Sequence, residues 1–328
     1  RAAEQDLVQT QRAQRVLASV AYFNWLGQTE RLQQVKVLVQ TSRQLAETAQ
    51  TRQQAGDLSR QDMLRWQIEA SRAQAELPVS SANLQRALET LRQITRLEPP
   101  DQGWRPAQGW PDASGEWENT KNWSQRLNDW LSNRPDVMAA QERLEASRQA
   151  LELAMALKKS DITWGGSIDH YPGTSSRLLE LRLQIPLQWG YGHQGEIARA
   201  QAQLMQSQDL LAQTRLQARA EINGFYQDLI SAQRRWLTHR DQTGPQAQQV
   251  LEQAQQAWLK GAISLTDLLD ARRTYQQTWF DGLSARMAFA MAYSSLLWQE
   301  ESVEMAQQKL LSSTPPYAVS YTHLTLPT

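Results

Sequence analysis

Apolar and small residues recur along most of this chain at alternating steps of three and four. Val35, Leu38, Ser42, Leu45 and Ala49 follow that spacing. Met63, Trp66, Ala70, Ala73, Leu77, Ser80, Leu84, Ala87, Leu91 and Ile94 keep it further on, and Ile197, Ala200, Leu204, Ser207, Leu211, Thr214 and Ala218 repeat it. One added residue then resets the phase, and Ile222, Phe225, Leu229, Ala232 and Trp236 continue. Alternating steps of this kind mark one face of a coiled-coil helix. Many of these positions are Ala, Ser or Thr, which suits closely packed antiparallel pairs and wide helical barrels better than a leucine zipper. A helix from Gln194 to Trp258 would reach about 95 Å at 1.5 Å per residue. Pro78 is expected to kink its helix, and Gly244-Pro245 to break or bend the descending helix of the second half.

Between Asp161 and Gln188 the period changes to two. Ile162, Trp164 and Ile168 alternate with Thr163, Gly165, Ser167 and Asp169. After Pro172-Gly173, Leu179, Leu181, Leu183, Ile185 and Leu187 alternate with Glu180, Arg182, Gln184 and Pro186. Two strands of about ten residues follow, each long enough to cross a bilayer when tilted. One face is apolar and the other polar, as on a barrel with lipid outside and water inside. A hairpin on a soluble core would share the alternation, but the flanking polar helices offer it no apolar sheet partner. Two strands cannot close a barrel, so further strands and several chains would have to share it.

The long helical patterns turn back on themselves twice, at matching sequences. Gly56-Asp57-Leu58-Ser59-Arg60-Gln61-Asp62-Met63-Leu64 recurs as Gly261-Ala262-Ile263-Ser264-Leu265-Thr266-Asp267-Leu268-Leu269, with Gly, Ser, Asp and the last Leu all at an offset of 205. Upstream, Tyr22-Phe23 and Leu26 match Phe225-Tyr226 and Leu229 at an offset of 203. An internal duplication of long helical hairpins follows, with a two-residue length change between the matched blocks. In each turn Ser59 or Ser264 reads as an N-cap, with Asp62 or Asp267 as a capping-box acid. The first copy is expected to begin inside an element. The last ten residues, Val319 to Thr328, resemble a translated sequencing adaptor and are set aside.

Composition narrows the function classes. The 328 residues carry 34 basic and 34 acidic side chains, so no basic face for nucleic acid is expected. Mean hydropathy is −0.62, and no apolar run is long enough for a transmembrane helix. The absence of cysteine removes disulfides and thiolate metal sites. The four histidines show no metalloprotease spacing. With no phosphate loop and no GxSxG elbow, no catalytic, metal or cofactor site is expected. Between Glu98 and Ser132, prolines and glycines rule out a long helix. Trp104, Trp110, Trp117, Trp123 and Trp130 crowd there. Indoles packing this segment onto the helices are favoured over a ligand-stacking surface.

Taken together, the paired Gly-x-x-Ser-x-x-Asp-x-Leu turns, Leu268-Leu269-Asp270-Ala271-Arg272, Asn133-Arg134-Pro135-Asp136-Val137, and Ile185-Pro186-Leu187 leading to Gly195-Glu196-Ile197-Ala198-Arg199-Ala200 resemble the TolC-like outer-membrane efflux family. The short strand connection and the Gly195–Ala200 element are similar to its heavy-metal cation branch. The resemblance implies a mainly α fold, with long antiparallel coiled-coil helices of an α-barrel about 100 Å long. It also implies a β-hairpin contributing to a trimeric transmembrane β-barrel in outer-membrane lipid.

The implied segments are 1–97, a first helical hairpin; 98–132, an equatorial Trp-rich segment; 133–160, a helix leading to the membrane; and 161–188, the strand pair. A second helical hairpin follows at 189–310, and a disordered tail at 311–328. The implied function is a passive duct, docked to a periplasmic adaptor and an inner-membrane pump. The adaptor would meet the turns at Gly56, Leu58, Ser59, Asp62, Gly261, Ile263 and Ser264. Lipid would meet Leu179, Leu181, Leu183 and Ile185. Asp267 and Asp270 would form the constriction, with Asp62 and Arg65 as neighbours pairing across helices. A coiled-coil scaffold is the competing reading; it accounts for the heptads and not for the strands.

Overall fold

The computed structural model describes residues 1–98, 106, 109–114, 123–159, 161–173, 175–185 and 192–300. Trp104, Trp117, the strand end at Pro186 to Gln188 and the tail at 311–328 lie outside these. Helix α1 spans Ala2–Gln54, α2 Arg60–Thr95, α3 Trp123–Ser132 and α4 Pro135–Ala156. Strands β1 (Thr163–Tyr171) and β2 (Ser175–Gln184) follow, then α5 (Gln194–Thr238), a π-helical segment (His239–Thr243), α6 (Gly244–Leu259) and α7 (Leu265–Glu300). The chain divides into two compact units, one of residues 1–9 and 131–219, the other of 10–130 and 220–328.

In the larger unit the three-four pattern does what its spacing implies. Buried positions fall seven apart at Val35, Ser42 and Ala49 and again at Trp66, Ala73, Ser80 and Ala87. The intervening seam residues Leu38, Leu45, Ala70, Leu77 and Leu84 are half-buried. Ala21 and Trp25 of α1 pack on Ala87 and Leu91 of α2, as an antiparallel pair requires. Tyr226, Leu229 and Ala232 of α5 pack on Phe289 and Leu296 of α7. Helix α2 runs through Pro78 as one element. At Gly244-Pro245 the regular helix gives way to the π-helical segment and restarts, with Pro in the first turn where its missing N–H costs least.

Indoles fasten residues 109–114 and α3 to the long helices. Trp110 stacks on Phe23 with ring centroids 6.0 Å apart and donates to Glu30 Oε1 at 2.6 Å. Trp123 stacks on Tyr226 at 3.7 Å, meets Trp130 edge-on at 5.5 Å and donates to Asn223. The buried Gln233 amide donates to the Ala113 carbonyl at 2.7 Å. These tryptophans are anchors, as indoles with one polar edge are suited to be.

In the smaller unit, the Arg134-Pro135-Asp136 turn starts α4. Arg134 is buried; its Nε lies 3.0 Å from both Asp136 carboxylate oxygens, and Nη1 donates to the Ala218 carbonyl of α5 at 3.3 Å. Val137, Ala140 and Leu144 then pack on Leu211 and Ala218. At the other end of this helix pair, Ala154 packs on Ile197 and Ala200, next to the strands. Small residues at these contacts let the backbones approach closely.

Glycine positions separate two kinds of constraint. A Cβ on Gly27 of α1 would overlap the Met287 thioether of α7, whereas one on the helical, exposed Gly224 would meet nothing within 4 Å. Gly27→Ala is expected to lower stability by about 1–3 kcal/mol through overpacking. Gly224→Ala is expected to raise it by up to about 1 kcal/mol through helix propensity. Thermal or denaturant unfolding of the two variants checks the opposite signs.

Candidate functional site

Two places in the fold carry exposed, ordered features that packing alone does not use. The first, in the larger unit, is where the turns at Gly56 and Gly261 come together. Both end their helices by the same backbone device. The Asp57 N–H bonds to the Arg52 carbonyl and the Gly56 N–H to Gln53; Ala262 to Ala257 and Gly261 to Trp258 are their counterparts, at the same 205-residue offset. This is a Schellman closure, which puts the residue after the helix in the left-handed region. Gly56 and Gly261 have φ of 84° and 71°. A Cβ would find open space at either position, so conformation alone requires glycine there.

The restart is equally matched. The Asp62 N–H donates to Ser59 Oγ at 3.0 Å and the Asp267 N–H to Ser264 Oγ at 3.3 Å. Each serine hydroxyl donates back to its aspartate at 2.8 Å, and Asp267 also accepts from the Ser264 N–H at 3.0 Å. The second is a capping box with Asp in place of the usual acid, and the first shares its serine cap. Beneath the turns Ala49, Trp66, Leu265, Leu268 and Leu269 form one buried cluster, against which Leu58 and Ile263 pack half-buried. Those two side chains therefore serve the tip's own core in part. Arg272 lies over Trp66 and Arg52 over Trp258, flanking an edge-on indole pair. Burial pulls the Arg272 pKa below its ordinary value, with Glu69 opposing.

The four acidic and basic positions at the turns do not behave alike. Asp267 is committed to its serine. Asp270 is 63% exposed and lies 3.5 Å from Arg273. Asp62 and Arg65 pair with each other within α2, at 3.6 Å. Their spacing of three residues places them on one helix face, where they meet first. It is Arg65 that crosses, donating to Thr266 Oγ1 at 2.6 Å. A second crossing joins Arg273 of α7 to Glu69 of α2, a carboxylate only 18% exposed that also pairs with Arg72 at 3.2 Å. The hydrogen bond to Glu69 raises the Arg273 pKa. Sequence reasoning missed Thr266, Glu69 and Arg273. Partners some 200 residues apart leave no local spacing to read.

The second place is the strand pair of the smaller unit. Trp164 pairs with Leu183, Gly166 with Leu181 and Ile168 with Leu179; Gly165 pairs with Arg182, Ser167 with Glu180 and Thr163 with Gln184. One face is thus an apolar ladder and the other a polar one. Trp164 is 82% and Leu181 80% exposed, and Leu179, Leu183 and Ile185 are exposed as well. On the polar face Arg182 holds Glu180 at 2.7 Å and Ser167 holds Asp169 at 2.8 Å. Among the described residues no helix is long and apolar enough to cross a membrane, and no cluster of His, Asp and Glu is arranged to hold a metal.

Comparison with known proteins bears on both places. No curated protein sequence matches the chain. Among solved structures, a membrane protein from Pseudomonas aeruginosa aligns with a TM-score of 0.73 at 18% identity, over 92% of this chain and 70% of its own. The outer membrane protein VceC from Vibrio cholerae aligns with a TM-score of 0.71 at 19% identity, over 92% and 73%. The Campylobacter jejuni CmeC outer membrane channel aligns at 0.70 and 13% identity, over 96% and 69%. At these identities the likeness is one of fold. The model of the family described as outer membrane efflux protein matches residues 126–297, more than half the chain, and the chain belongs to that family.

Proposed function

We propose that this outer-membrane efflux protein works as a passive duct: a homotrimer whose strand pairs share one barrel in the outer membrane. Its helices would extend into the periplasm to meet an adaptor and an inner-membrane pump. The observation that carries the reading is the strand pair. It presents a bare apolar ladder to one side and hydrogen-bonded charges to the other, which is the division lipid and water impose on a barrel wall. Exposed apolar surface of that kind needs a cover, and a coiled-coil scaffold supplies none. No catalytic role is assigned to any residue.

The matched turns are the surface proposed for the adaptor. Gly56, Ser59, Asp62, Gly261 and Ser264 are defined by backbone and cap geometry, with Leu58 and Ile263 bracing them from within. Asp267 and Asp270 are proposed as the constriction. In a trimer each would supply a ring of three carboxylates, and such rings favour cations. Asp270, exposed and only loosely held by Arg273, is the better placed to meet an ion; Asp267 is tied to its cap. The crossings from Arg65 to Thr266 and from Arg273 to Glu69 would hold α2 and α7 together beside that ring.

Two experiments test this reading. Leu183→Arg is expected to cost about 2–4 kcal/mol at the bilayer midplane and to cut membrane assembly sharply, while Gln184→Arg is mild. Quantifying heat-resistant oligomer in outer-membrane fractions separates them, and equal tolerance would reverse the orientation. In planar bilayers, Asp270→Ala is expected to lower cation preference and relieve block by multivalent cations, and adding Asp267→Ala should deepen the effect. Unchanged selectivity in the double variant would leave both acids as helix caps.

A further inference from the structure

The π-helical segment His239–Thr243 is where the second long hairpin departs from regular geometry. The Gly244 N–H bonds to the His239 carbonyl, five residues back. The cause is Pro245, which has no N–H and would crowd the Asp241 carbonyl in a regular α-helix. A widened turn relieves both. Such segments recur at functional sites, and here the residue that opens it is a histidine seated against α7.

The fit of that imidazole is specific. A Cβ on Gly282 of α7 would overlap its Nε2, Cδ2 and Cε1, and a Cβ on Gly244 would lie 3.3 Å from Nε2. Two glycines thus leave the room that the ring fills. Thr243 Oγ1 lies 3.1 Å from Nδ1, and the Trp236 ring stacks on the imidazole at 6.1 Å and 24°. The charged groups around it come from every packed element. Asp281 of α7 acts on the ring directly. Arg240 and Asp241 of the π-helical segment pair with each other at 2.6 Å, and Asp112 acts on Arg240. Arg286 of α7 lies over the same Trp236, 5.4 Å from its centroid, and 3.7 Å from Glu30.

We propose that His239 is a proton-operated pin: its neutral ring locks the π-helical segment into the Gly282 notch of α7, and protonation releases it. A cation in the notch would press its Nε2 edge against glycine and lie on an indole that already carries Arg286. Burial accordingly holds the imidazole below its ordinary value, and Asp281 offsets this in part. The sign follows from that depression. The contribution of the seated ring is complete above the ordinary imidazole value and is lost as pH falls through the lower folded one. Neutral surroundings therefore stiffen the junction and acid loosens it, at a point distant in sequence from either turn.

The test is hydrogen–deuterium exchange of the full chain at about pH 7.5 and about pH 5, corrected for intrinsic rates. Protection of the amides from Trp236 to Gly244 and of those around Gly282 is expected to drop about tenfold in acid. His239→Gln should abolish the difference. Gly282→Ala, which fills the notch, should show the low protection already at neutral pH. Protection that is independent of pH, or equally pH-dependent in His239→Gln, overturns the pin. Should His239→Gln fail to fold, the imidazole titration of the unmodified chain decides by NMR. It is expected below the ordinary histidine value and lower still in Asp281→Asn, and a titration at or above the ordinary value overturns the proposal.

Discussion

Unpaired backbone at the strand edges constrains this molecule more than any single contact. Among the described residues strands β1 and β2 form a sheet of two, so each has one edge that no further strand covers. In hydrocarbon every N–H or C=O group left unpaired costs several kcal/mol, and in water an open edge invites the wrong neighbour. Closure with further strands answers both problems. The helices next to the pair are built to hold its base without adding bulk: Ala154, Ile197 and Ala200 meet there. Arg134 pins the opposite end of α4 to α5 through the Ala218 carbonyl. Membership of the efflux family accords with this constraint, since the proposed wall shared between chains would enclose a passage.

The two copies of the turn show how duplication is turned into a contact. Their backbones are matched hydrogen bond for hydrogen bond, yet the side chains that follow diverge. Where the first copy has Arg65 the second has Asp270, and where the first has Ile68 the second has Arg273. The divergent residues do the bridging, Arg65 to Thr266 and Arg273 to the half-sheltered Glu69. An exposed ion pair contributes little on its own. Glu69 gathers two guanidinium groups in a partly sheltered position, where the geometry is better determined. The copies are alike where a helix must turn and unlike where they must recognise each other.

Much of this was legible in the sequence because it is local. Alternation between Leu179 and Leu183 follows from the pleat, and the strand pairing places those side chains on one face. The Gly-x-x-Ser-x-x-Asp spacing encodes a left-handed residue, a cap and its acid, all within one turn of chain. Pro245 announces a break because it lacks a donor. Other features depend on partners far along the chain. Nothing near Gly27 shows that Met287 will fill the space of its missing side chain. Arg134 looks like a solvated turn residue until the Ala218 carbonyl is brought to it. Leu58 and Ile263 look like exposed docking residues because their cover comes from Trp66 and Leu268 beneath the turns. Asp62 and Arg65 meet within one turn, as local spacing implies, but that Arg65 also reaches Thr266 depends on a partner 201 residues away.

The π-helical segment also settles a matter of counting. Between the aromatic pair and the glycine turn, the second copy is two residues longer than the first. In the first copy that interval is uninterrupted α-helix; in the second it contains His239–Thr243. Two residues of straight helix would advance the turn by about 3 Å and swing every later side chain by about 200°. A wider coil takes up surplus chain with less advance per residue. Tyr226 and Leu229 on one side, and Trp258 on the other, still face inward. About one of the two residues is thereby taken up in a single coil, and the two turns still meet over one shared cluster.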